Sequence, residues 1–98
     1  MPRALAAIAS FHAQVYFHDE AQRERALALR EQIGDRFQVT PMYQVAFAIE
    51  SFGKFVPWLM LNRQGLTVLV HPNTRDERSD HVVHALWMGE MLAIVGSS

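Results

Sequence analysis

Five histidines in a chain of 98 residues, at positions 12, 18, 71, 81 and 84, are the side chains with the most chemistry to offer. Convergent neutral imidazoles suit a borderline metal such as iron, zinc or copper. Non-haem Fe(II) oxygenases typically add one carboxylate and leave positions open for substrate and dioxygen. Asp76, Asp80 and Glu90 are near enough in sequence to His81 and His84 to supply that carboxylate. No cysteine is present, which excludes thiolate metal sites, disulfides and a cysteine nucleophile. Ser79-Asp80-His81 holds the letters of a hydrolase triad, but consecutive residues cannot line up as nucleophile, base and orienting group.

The elements that would position these groups follow from periodicity. Residues 11–17 alternate as a half-buried strand, with Phe11, Ala13, Val15 and Phe17 on one side and His12, Gln14 and Tyr16 on the other. Asp19, with Gln22 three residues on, opens a helix whose face is Ala26, Leu29 and Ile33 and which ends near Gly34; Arg23, Glu24, Arg30 and Glu31 are its solvated side. Residues 37–49 read as extended structure broken at Thr40-Pro41, with Tyr43, Val45, Phe47 and Ile49 on one face. Phe52, Phe55, Val56 and Leu59 mark a second helix over residues 51–63, which Pro57 is expected to kink or delay and Gly65 to close. Residues 66–71 form another strand, with Leu66, Val68 and Val70 against Thr67, Leu69 and His71, and Pro72 is expected to stop its ladder. The tail reads as a short helix over 80–88 and an extended piece over 92–95.

This order predicts an α+β, ferredoxin-like βαββαβ sandwich: an antiparallel sheet with both helices on one face, plus a short C-terminal helix and strand. The purely apolar strand faces belong against the helices, which places His12 and His71 on the other face, though not necessarily in contact. His81 and His84, three apart, would lie on one side of the tail helix. Folded over the open face, that helix would bring up to four imidazoles toward one cleft. His18, just before the first helix, reads as structural. Tyr16, Trp87 and Met88 could wall an aromatic ring, the plainer reading of Trp87 and Met88 being core. Arg63 or Arg75 could hold a substrate carboxylate, the plainer reading being a solvated or capping residue.

Composition bounds the partners. Half the residues are hydrophobic and 19% charged, enough apolar side chain for one core, so residues 1–98 read as a single domain with 1–9 as a tail or strand extension. Nine Lys and Arg against ten Asp and Glu give a net charge of −1, which favours neither nucleic acid nor an anionic membrane. The apolar run in MPRALAAIAS is shorter than a signal core, and no stretch approaches the roughly 20 apolar residues of a membrane span. A soluble, cytoplasmic protein is expected.

The segments FHAQVYF and PWLMLNRQGLTVLVHPNTRDERSDHVVHALWMGE resemble the DOPA 4,5-dioxygenase family over most of the chain, from about Phe11 to Met91. The resemblance implies an extradiol dioxygenase that opens a catechol ring of a DOPA-like substrate with dioxygen and a histidine-bound Fe(II), on a ferredoxin-like fold that is often dimeric. If such a site is present, His12 and His71, on the open sheet face, are the expected metal ligands, His81 or His84 would complete the shell or act as the catalytic proton shuttle, and Gln14, Tyr16 and Arg63 are the expected substrate contacts. Three positions depart from the family pattern: Gln14 stands where the second histidine of an H-x-H strand is usual, a G-P-H-P loop is absent before TPMYQVAF, and Arg75 replaces a turn glycine. The alternative is a catalytically impaired or non-enzymatic small-ligand-binding dimer module on the same fold.

Overall fold

The first strand, β1 (Ser10–Tyr16), is followed by α1 (Glu20–Gly34), the short β2 (Gln38–Val39), β3 (Gln44–Phe47) and α2 (Phe52–Asn62). The chain then forms β4 (Thr67–Asn73), α3 (Glu77–Val82) and β5 (Leu86–Met88), with 3₁₀ turns at Leu5–Ala7 and Ile49–Ser51. This computed structural model describes residues 4–34, 38–39 and 43–92. All strand pairs are antiparallel, in the order β2-β3-β1-β4-β5, so the expected four-stranded plan is present with β5 added at the edge.

Strand parity sorts the side chains as the alternation requires. Ala13 pairs with both Val45 and Val70, and Val15 with Val68, so these apolar residues share one face. There they form a single buried cluster with Ala26, Leu29 and Ile33 of α1 and Phe55, Val56 and Leu59 of α2, so both helices lie on one side of the sheet. The start of α1 is fixed locally. Gln22 donates its backbone N–H to Asp19 Oδ1 at 2.7 Å, and the Gln22 side chain reaches back to accept from the backbone N–H of His18 at 3.1 Å. Pro57 neither delays nor interrupts α2, which runs through it from Phe52. Its missing donor is the one that would reach the Gly53 carbonyl in the first turn.

Two expectations are corrected near the C-terminus. Pro72 does not end the ladder; β4 continues to Asn73, whose carbonyl accepts from Ala9 N–H at 2.9 Å. Asn73 therefore directs its backbone toward β1 and Pro72 directs its own the other way, where β5 has already stopped with Leu86 opposite Val70. The tail helix does not span 80–88 but only Glu77–Val82. Asp76 caps it, accepting from Ser79 N–H at 3.2 Å, and residues Leu86–Met88 pair with Val68–Val70 as a strand. Thr40, Pro41 and most of the expected extended piece at 92–95 lie outside the described residues.

Leu29 has no exposed surface, whereas Leu27, two residues earlier on α1, is 40% exposed. Leu29→Ala is expected to cost about 2–5 kcal/mol in urea unfolding through the cavity it leaves. Leu27→Ala should change stability by a small fraction of that.

Candidate active site

On the face away from α1 and α2, β1 presents His12, Gln14 and Tyr16, β3 presents Gln44, β4 presents Thr67, Leu69 and His71, and β5 presents Trp87. β1 and β4 are immediate neighbours, and His12 stands directly opposite His71, with ring centroids 5.3 Å apart and planes near perpendicular. α3 folds over the same face and sets the His81 ring 4.1 Å from that of His71. Three of the four expected imidazoles thus come together. His84 is not beside His81 on a helix, because α3 ends at Val82; it lies exposed in the turn that leads to β5.

His71 is 1% exposed and His81 5%. His71 Nδ1–H donates to the Pro72 carbonyl at 3.1 Å, which leaves the lone pair on Nε2, and that buried atom has no hydrogen-bond partner. Burial holds the His71 pKa below its ordinary value, and the neighbouring His81 and His12 push the same way against the Pro72 carbonyl and Asp80. His12 is lowered for the same reasons, burial first and His81 second. Asp80, 2% exposed, spends both carboxylate oxygens on Thr74, accepting from its N–H at 2.8 Å and its hydroxyl at 2.6 Å. It thereby ties the loop after β4 to α3. Asp76 serves as the cap of α3, and Glu90 is exposed.

Gln14 sits at the centre of a polar row. Its Oε1 accepts from the Tyr16 hydroxyl at 2.8 Å, and its Nε2 donates to Gln44 Oε1 at 3.0 Å and lies 3.4 Å from His81 Nε2. Tyr16 in turn packs on Trp87, with centroids 5.9 Å apart. Trp87 is therefore on the histidine face, while Met88 belongs to the core. Arg63 lies at the other end of β4, where its Nη1 donates to the Leu66 carbonyl at 2.7 Å; His71 is four residues, roughly 13 Å, farther along the strand than Thr67. His18 is exposed and bonded to Gln22, in keeping with a structural role.

Imidazole is the right donor for ferrous iron, and the fixed Nδ1–H of His71 is how a backbone carbonyl aims Nε2 at a metal. Yet among the described residues no group of three or more histidine, aspartate or glutamate side chains is arranged to hold a metal ion. The donors fit in kind, and they form a row rather than a closed cage.

A cavity of about 370 Å³ opens at the end of the sheet where β1 begins and β4 ends. Ile8, Phe11, Phe52, Val70 and Leu86 line it, along with His71, Thr74 and His84. His71 thus belongs to both the cavity wall and the histidine row. Spacing puts Leu69 on the face of His71 but singles out neither it nor Gln44, nor the cavity residues Ile8 and Phe52, as site residues. Strand parity offered a signal for the first two, but none marked residues 4–8 as a wall.

Residues 11–97 match the model of the Dopa 4,5-dioxygenase family. The chain is 30% identical over 104 residues to the DOPA 4,5-dioxygenase of Amanita muscaria, a match covering 84% of this chain and 46% of that protein. It is 48% identical over 61 residues to an "Uncharacterized 21.2 kDa protein" of Botryotinia fuckeliana, covering 54% of this chain and 33% of the other. The chain thus spans less than half the length of both curated relatives. A crystal structure of a provisionally assigned dioxygenase from Nostoc punctiforme superposes with a TM-score of 0.85 at 49% identity, over 94% of this chain and 91% of that one.

The lowered imidazole pKa values carry a sign. Between the folded values and the unfolded value near 6.5, the unfolded chain binds more protons, so stability rises with pH through that window and falls as pH drops below about 6.5. Metal-free protein should therefore unfold at lower urea at pH 5.5 than at pH 7.5. His71→Leu should shrink that difference.

Proposed function

We propose, because this chain belongs to the Dopa 4,5-dioxygenase family, that its histidine row is the site of an extradiol dioxygenase that opens a catechol ring with dioxygen and Fe(II). The observation that carries the reading is the buried, partnerless Nε2 of His71. Such an atom costs about 1–3 kcal/mol when nothing occupies it, and its tautomer is the one a metal ligand needs. His12, directly opposite, is the second proposed ligand.

In this reaction the ring bond beside the two hydroxyls breaks and both atoms of dioxygen enter the product, so no further reductant is needed. When bound, ferrous iron supplies the Lewis acid that acidifies the catechol hydroxyls and activates dioxygen. The chain supplies the rest. His81 is the proposed acid–base group: its Nε2 faces the Gln14 amide nitrogen at 3.4 Å, and it takes a hydroxyl proton when the substrate displaces that amide. Gln14 and Tyr16 form a fixed polar row beside the substrate, and α3 over His71 limits water. His84, the other histidine proposed for catalysis, lines the cavity rather than the row. Arg63 is too far along β4 to share a small ligand with His71. The working form proposed is a homodimer, which sedimentation equilibrium tests.

Gln14 in place of a histidine, and the lack of a three-donor group among the described residues, favour a second reading as a ligand-binding module without turnover. Iron separates the two. Protein loaded anaerobically with Fe(II) should retain about one iron per chain, consume oxygen with a catechol and give a yellow product. His71→Leu should lose the iron while its melting temperature holds or rises, since it removes a buried atom that lacks a partner. Absence of retained iron and of oxygen uptake with every catechol tried rejects the dioxygenase reading.

A further inference from the structure

We propose that Asp80 is a positioning residue: its carboxylate and Thr74 form a latch that pins α3 to the end of β4 and so holds His81 over the histidine row, an inference that rests on the dioxygenase reading above. α3 needs such a fastening. It has six residues, Glu77–Val82, well short of the roughly 12–15 at which an isolated helix becomes even marginally stable in water. Among the described residues it contributes no side chain to the buried apolar cluster. Val82 is 55% exposed and Arg78 is exposed too, whereas the buried side chains described on this helix are Asp80 and His81. Hydrogen bonding, rather than apolar burial, therefore places α3.

The bonds suit a carboxylate. Asp80 Oδ2 accepts from the Thr74 N–H at 2.8 Å and Oδ1 from the Thr74 hydroxyl at 2.6 Å, the lengths of charge-assisted bonds. Both partners are donors, so two acceptor oxygens are needed, and an amide at position 80 would turn an N–H toward one of them. The Thr74 oxygen also accepts from Asp76 N–H at 3.1 Å, and Asp76 caps α3 through Ser79 N–H. Thr74 thus fastens the helix at its cap and again one turn on. His81 follows Asp80 directly, with its ring 4.1 Å from that of His71 and its Nε2 3.4 Å from the Gln14 amide nitrogen. With both oxygens given to Thr74, and no metal-holding group among the described residues that includes it, Asp80 acts through His81 and not as an iron ligand.

Three variants test the latch. Thr74→Val removes the hydroxyl and keeps the shape, Thr74→Ser keeps the hydroxyl, and Asp80→Asn removes one acceptor. In Fe(II)-loaded protein with DOPA as the probe, Thr74→Val and Asp80→Asn should each retain about one iron per chain, keep KM within twofold and lose tenfold or more in kcat. Thr74→Ser should stay within twofold in both constants. A general loss of structure would instead lower iron content and raise KM. In metal-free protein, histidine-ring NMR should show the His81 resonances displaced in Thr74→Val and Asp80→Asn and unmoved in Thr74→Ser. Iron lost from folded Asp80→Asn would make that carboxylate a ligand and overturn the inference. An unmoved His81 ring or an unchanged kcat in Thr74→Val overturns it as well, and that variant decides the matter if Asp80→Asn does not fold. The ring resonances need neither iron nor turnover, so a parent protein without oxygen uptake rejects the dioxygenase reading while the latch is still judged by NMR.

Discussion

Seven residue pairs, from Ser10 opposite Asn73 to Tyr16 opposite Thr67, lock β1 to β4, and the site depends on that register. Because side chains alternate, a slip of β1 by one residue would turn Ala13 and Val15 out of the core and put His12 into it, and a slip of β4 would do the same with Val68, Val70 and His71. The apolar faces that bind α1 and α2 thus hold the histidine pair in place without touching it. Burial of the core and presentation of the imidazoles are two sides of one constraint.

That constraint explains what could be read in advance. The alternation in residues 11–17 and 66–71 already sorts each side chain to a face, and the Asp19–Gln22 spacing already places the start of α1. What alternation cannot give is which strands are neighbours, since pairing between distant segments depends on the whole sheet. The placement of His12 directly against His71 therefore emerged only with the topology. The tail's pattern misleads for a different reason. Three residues of β5 are too few to show a period, and the cap at Asp76 reads equally as a turn. The spacing of His81 and His84 consequently points to a helix that in fact ends at Val82, before His84. The cavity was illegible because its wall includes an apolar segment ahead of β1, which pattern alone marks as a tail.

Around the histidines the chain has exchanged ligand capacity for hydrogen bonding. At position 14 an imidazole would offer a metal a third donor; the amide there instead ties Tyr16, Gln44 and His81 into one polar row. The row satisfies polar atoms over Leu69, which is fully buried, and so stiffens the floor of the site. Among the described residues, His71 is the one that keeps a buried side-chain nitrogen without a partner.

Pro72 bears on how the molecule behaves among its own copies. Where β5 stops, the continuing backbone of β4 would otherwise present a donor to any passing extended segment, and unpaired strand edges are templates for aggregation and domain exchange. A proline at that position has no donor to present. The sheet can therefore stay open at this end, keeping the mouth of the cavity clear for a small molecule, without also inviting another strand.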